Sequence, residues 1–198
     1  MQRSLLLCSL VVLTLACQTQ KSAKKPANQS KQAAPADTGP KLPPEFVEVA
    51  ALEDRRSFGD GSKLLTWALT ANEPALRGRA MLALGRIQDV AAADTLMKGL
   101  TDPDPGARSE AVFAIGLLGQ SWTPVPDDVK AKLTDALKTI EAEEQDPNIK
   151  LVILEALGRI ATPPAVDRLI ERLLVTGDVQ ARAALSIGIA ARTPEAAN

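Results

Sequence analysis

From residue 63 onward, apolar and polar positions recur with the spacing of a helix rather than the alternation of a strand. With Gly85, Gly116, Gly158 and Gly188 set in register, the positions nine, five and two before the glycine and two after it hold Leu76, Ala80, Ala83 and Ile87 in the first copy. The second copy has Ala107, Ala111, Ala114 and Leu118 there. That spacing draws one stripe down a helix. The segments between carry leucines four apart, Leu65 and Leu69, Leu96 and Leu100, Leu133 and Leu137, Leu169 and Leu173, which predicts a partner helix in each unit. The glycines lie 31, 42 and 30 residues apart, the long interval holding an insertion around Ser121-Trp122-Thr123-Pro124-Val125-Pro126.

Three of the four stripe helices open on an acid followed by proline: Glu73-Pro74, Asp104-Pro105 and Asp146-Pro147. An acid is suited to the N-cap and a proline to the first helical turn. A mid-helix glycine costs about 1 kcal/mol relative to alanine, so its recurrence among small alanines predicts neighbouring helices in close approach. A hairpin cannot bury such a stripe alone, but hairpins stacked in series can, around a continuous core. Composition agrees, since Ala and Leu dominate the apolar residues and only 3% of residues are aromatic, which favours helix over sheet.

The pattern Asp-Pro-x-x-Arg-x-x-Ala-x-x-Ala-Leu-Gly, followed by Leu-x-x-x-Leu, resembles the HEAT repeat, in particular the short bacterial form also found in phycobilin lyases. The resemblance runs from residue 46 to residue 192 in about four and a half copies. It implies an all-α, right-handed α-solenoid of HEAT-like or armadillo type, which we place at residues 45–192, with 193–198 as a tail. The stretch Leu52-Glu53-Asp54-Arg55-Arg56 with Gly59-Asp60-Gly61 is similar to the opening helix of secreted bacterial HEAT proteins. The pattern departs at Lys150 and Gln180, where arginine is expected, and at Gly177, which stands in place of proline.

Residues 1–16 read as an export signal: Arg3, then an apolar run from Leu5 to Leu15 too short to span a bilayer, then a small residue before Cys17. Leu13-Thr14-Leu15-Ala16-Cys17 resembles the bacterial lipobox, departing from it at Thr14 and Leu15. The resemblance implies lipidation at Cys17 and, because Gln18 follows, sorting to an outer membrane facing the periplasm. The alternative is an ordinary cleaved leader. Residues 17–44 are polar and rich in Lys and Pro, as in a disordered tether. The expected location is therefore the cell envelope, with the membrane touched through the lipid anchor only.

Charge narrows the partners. Residues 45–198 carry 17 basic and 23 acidic side chains, a sign that does not neutralise phosphates, so nucleic acid is not an expected partner. The only cysteines are Cys8 and Cys17, and there is no histidine. No imidazole base, catalytic triad or His-ligated metal can form, which excludes resemblance to the HEAT-repeat metal hydroxylases. Neither a phosphate loop nor a dinucleotide fingerprint occurs. The expectation is a non-catalytic, envelope-anchored scaffold that binds an unidentified protein and needs no cofactor or metal. Two alternatives are the repeat portion of a longer secreted enzyme, and a tetrapyrrole chaperone and transferase like the phycobilin lyases, which act in the cytosol.

In the resembling proteins the stripe helix lines the concave face. Its flank, six and three before the glycine and one after, yields the candidate surface: an apolar centre of Leu82, Phe113 and Leu117 rimmed by Arg79, Arg86, Glu110, Glu155 and Arg159. An apolar centre with a charged rim suits protein binding; these apolar residues could equally fill the core. Arg77, Arg108 and Lys150 are expected to be structural, paired with Glu73, Asp104 or Asp146. Glu141, Glu143 and Glu144 read as a solvated face. Trp67 reads as packing, whereas Trp122, in a proline-flanked loop, is either a binding residue or a loop anchor. Ala183–Ala191 is apolar on nearly every side, so self-association through this C-terminal helix, a partner or a further repeat is expected to cover it.

Overall fold

A computed structural model describes residues 42–192, and the leader, Cys17 lipidation, nearly all of the linker and the C-terminal tail lie outside the described residues. The described residues form helices and no strand. They are α1 (Pro44–Asp54), α2 (Lys63–Thr70), α3 (Pro74–Ile87), α4 (Ala93–Gly99), α5 (Pro105–Gly119), α6 (Asp127–Glu143), α7 (Pro147–Ile160), α8 (Pro163–Arg172) and α9 (Asp178–Ala190). Prolines open α3, α5 and α7 as the sequence predicts, and the Asp104 and Asp146 carboxylates accept from the backbone N–H of Ala107 and Asn148. Each such cap is worth about 1 kcal/mol. Glu73 makes no side-chain cap bond. Among the described residues no helix is long and apolar enough to cross a membrane.

The odd-numbered helices pack in one row, α1 on α3, α3 on α5, α5 on α7, α7 on α9, and the even-numbered ones form a second row behind them. The repeat glycines make the first row tight. A Cβ on Gly85 would stand 2.5 Å from the Ala114 Cα, and one on Gly158 would stand 2.5 Å from the Ser186 carbonyl oxygen. The predicted stripe is buried in the joints, with Ala80, Ala83, Ala111 and Ala114 fully inaccessible. Between the rows Met81, Leu84, Leu96, Ile115, Leu133 and Leu157 fill the core, each worth roughly 1.5–3 kcal/mol of burial.

Three expectations are corrected. In α2 the core-facing pair is Leu64 and Ala68, with Leu65 half-buried and Leu69 exposed. The run Leu64-Leu65-x-x-Ala68-Leu69 offers two neighbouring four-residue stripes, and packing chooses the one with the smaller side chain. Glu141 and Glu144 are buried rather than solvated, and only Glu143 is exposed. Glu141 takes Arg168 and Arg172 of α8 at 2.7 and 2.6 Å.

The structural arginines, lastly, find other acids than those expected. Arg77 grips Asp102 through two bonds of 2.6 and 2.8 Å and donates to the Ala71 carbonyl. Arg108 does the same to Glu144 at 2.8 and 3.1 Å and donates to the Asp102 carbonyl. Both acids sit two residues before the next N-cap and also accept its backbone N–H, Asp104 in one case and Asp146 in the other. Asp104 and Asp146 are occupied by their own helix starts, and the arginines reach past them to the acids two residues earlier. Arg108 leads the causes that hold the Glu144 carboxyl down at about 2, outweighing its burial, and Arg77 lowers Asp102 in the same way.

Candidate functional site

The candidate residues project from the exposed flank of the odd-numbered row, where the tight joints bring side chains of successive helices together. Glu53 of α1 spans two arginines of α3, with its Oε1 3.0 Å from Arg86 Nη1 and its Oε2 2.6 Å from Arg79 Nη2. The second is an ionic contact, and Glu53 Oε2 and Arg79 Nη1 are buried without a hydrogen-bond partner among the described residues. Burial pushes the Glu53 carboxyl up, but the two arginines together hold it below its ordinary value. Across the next joint Glu110 of α5 is half-buried and makes no hydrogen bond among the described residues. Its pKa is raised by burial, and Arg86 and Arg79 only partly offset this.

The chain of contacts continues toward the C-terminus. The Arg159 guanidinium of α7 lies over the Phe113 ring of α5, 5.1 Å from its centre, a cation–π contact worth about 1 kcal/mol. Arg159 also donates to Glu155 at 2.7 Å and to Gln120 at 3.3 Å, and Arg182 of α9 donates to the other Glu155 oxygen at 3.0 Å. A belt of alternating charge thus crosses five helices. Leu82 and Leu117 are half-buried along it, as is Phe113, so these residues neither vanish into the core nor form an open apolar patch. Between the starts of α3 and α5 lies a groove of about 580 Å³ lined by Gly78, Arg79, Leu82, Ala107 and Glu110.

Trp122 does not join this belt. It is 86% exposed, so it anchors nothing among the described residues. It borders a separate cleft of about 380 Å³ with Arg56, Gln88, Val90 and Val125. Trp67 packs against the core with Lys63 over its ring at 4.5 Å. Two contributors were absent from the candidate surface, Glu53 and Arg182. Arg182 shares the flank position of Arg79 and was legible by register. Glu53 lies in a helix without the repeat motif, 33 residues from the arginine it bonds, and no local signal marks it.

Tight glycine joints, an arginine clamp between hairpins and two helix rows define a protein of HEAT-like repeats. Residues 62–144 match the family model for HEAT repeats, and residues 150–174 match that of the PBS lyase HEAT-like repeat. The structure is similar to a chain in the solved complex of CpcE and CpcF of phycocyanin lyase from Nostoc sp. PCC7120. The TM-score is 0.55 at 25% identity, over 71% of this chain and 86% of that one. No curated protein matches the chain.

These matches overturn the expectation that the chain is not an enzyme, since both the repeat family at residues 150–174 and the similar solved chain are those of lyases. The reasoning from absence failed for a physical reason. The absence of histidine and cysteine from residues 18–198 removes imidazole and thiolate chemistry from the side chains of the repeats. It does not remove a reaction in which carboxylates and guanidiniums orient reactants supplied by other molecules.

Proposed function

We propose that this chain has a phycobilin-lyase-like role, holding an open-chain tetrapyrrole and handing it on in company with a protein partner. The observation that carries this reading is the similarity to a chain of the CpcE and CpcF complex across 86% of that chain. The groove between α3 and α5 supports it chemically. Its glycine and alanine floor admits a flat apolar ring system. Arg79 and Arg86 would receive the pigment's propionates, exchanging Glu53 for a ligand carboxylate. Glu110, its pKa raised by burial, is suited to hydrogen-bond pyrrole nitrogens. Without a cysteine or histidine in residues 18–198, the hold on the pigment is non-covalent.

Titrating the full chain with biliverdin tests this. Binding should shift the pigment's visible band and induce circular dichroism, and Arg79→Ala with Arg86→Ala should weaken binding by about tenfold or more. No spectral change up to the solubility of the pigment would refute the reading. The leader supports placing this activity at the envelope; Cys17→Ser should then move the protein from the membrane to the soluble fraction, and unchanged fractionation would count against that location.

A further inference from the structure

Helix α9 ends the described row, and its outer side has no described helix against it. At the three earlier joints the repeat glycine is covered: a Cβ on Gly85, Gly116 or Gly158 would stand within 3.1 Å of backbone atoms of Ala114, Ala156 or Ser186. A Cβ on Gly188 meets nothing within 4 Å. Ala181, Ala184, Leu185, Gly188 and Arg192 share this side, lying within about 100° of one another around a helix, and all are exposed, Leu185 to 66%. In the same hairpin Leu174 is 88% exposed and Ile170 51%. Clustered exposed apolar side chains at the end of a stack mark a contact surface.

We propose that a second copy of this chain covers the face, α9 against α9, antiparallel about a two-fold axis passing between Ala184 and Leu185. The face is complementary to itself in this register. Ala181 meets the partner's Gly188, so the small side chain enters the open glycine site, and Leu185 lies over the partner's Ala184. Asp178 at the start of the helix meets the partner's Arg192 at its end, and the symmetry makes this pair twice. The helix dipoles also oppose favourably. A parallel pairing of two copies, the arrangement used inside the row, would instead set Asp178 beside the partner's Asp178. An isologous contact of this kind closes at two subunits, and it leaves the groove between α3 and α5 outside the interface. The inference stands apart from the pigment-binding reading.

Sedimentation velocity on the full chain tests it, in a mild detergent so that residues 5–15 do not drive association. The wild type should pass from monomer to dimer as concentration rises. Gly188→Leu projects into open space, so helicity and melting temperature should hold while dimerisation weakens by about tenfold or more, and Leu185→Glu should act alike. Asp178→Arg should weaken the dimer, and adding Arg192→Asp should restore it. A monomer at every concentration, or a dimer indifferent to both Gly188→Leu and Leu185→Glu, overturns the proposal. Failure of the charge exchange to restore association overturns the antiparallel register.

Discussion

The joint between α5 and α7 and the joint between α7 and α9 use the same glycine contact but are locked differently. At the first, Arg108 reaches Glu144, and Glu144 also receives the backbone N–H of Asp146, so one carboxylate fixes both the preceding hairpin and the next helix start. The joint between α3 and α5 has the same device in Arg77 and Asp102. At the last joint the arginine position holds Lys150 and the acid position, two residues before the N-cap Gly177, holds Val175, so the clamp is missing. The final hairpin is tied from behind instead, by Glu141 to Arg168 and Arg172. A guanidinium fork with a preorganised acid fixes orientation as well as distance, whereas α9 is held to α7 by packing and by the partly exposed Arg182–Glu155 pair. The N-terminal joints should therefore be the stiff part of the stack and the last hairpin the part that opens first.

The largest effect should come from the shared element. Gly85→Val drives a branched side chain into the Ala114 backbone and should cost about 4 kcal/mol in chemical denaturation, whereas Gly188→Ala, at concentrations where the chain is monomeric, should gain about 0.5–1 kcal/mol because the site is open. Similar losses at both positions would contradict the contrast between closed and open ends. Next, Arg108→Ala leaves the buried Glu144 carboxylate without its fork and should cost about 3 kcal/mol, against less than about 0.5 kcal/mol for Lys150→Ala. Hydrogen exchange should show the first loosening α5 and α7 together, and the second leaving protection unchanged.

Acid sharpens the same comparison. The Glu144 carboxyl falls from its ordinary 4.5 to about 2 on folding, so its contribution is complete above 4.5 and disappears as pH falls toward 2. Asp102 is shifted in the same direction. Stability measured down a pH series should fall across that window in the wild type and less steeply in Arg108→Met. Equal slopes would deny the clamp its role.

The helix count, the repeat register and the buried alanine stripe were legible because each depends on spacing along one segment. The clamp was half legible. Its arginines recur at one position, but the acid that each grips lies 25 or 36 residues away and comes within reach only when the next hairpin packs against it. The candidate surface divides the same way. Arg79, Glu110, Phe113, Glu155 and Arg159 fall on one face because register puts them there. Glu53 joins them only because α1 packs on α3, and Trp122 leaves them because its loop points elsewhere.

Local chemistry in the chain thus determined which segments are helical, where they start, and which sides must be hidden by a neighbour. Which of two adjacent stripes α2 buries, which acids end up under arginines, and which end of the stack stays uncovered were decided by tertiary packing. The reason is range: a helix period is fixed by residues three and four apart, whereas desolvation and ion pairing depend on what another helix brings within about 4 Å.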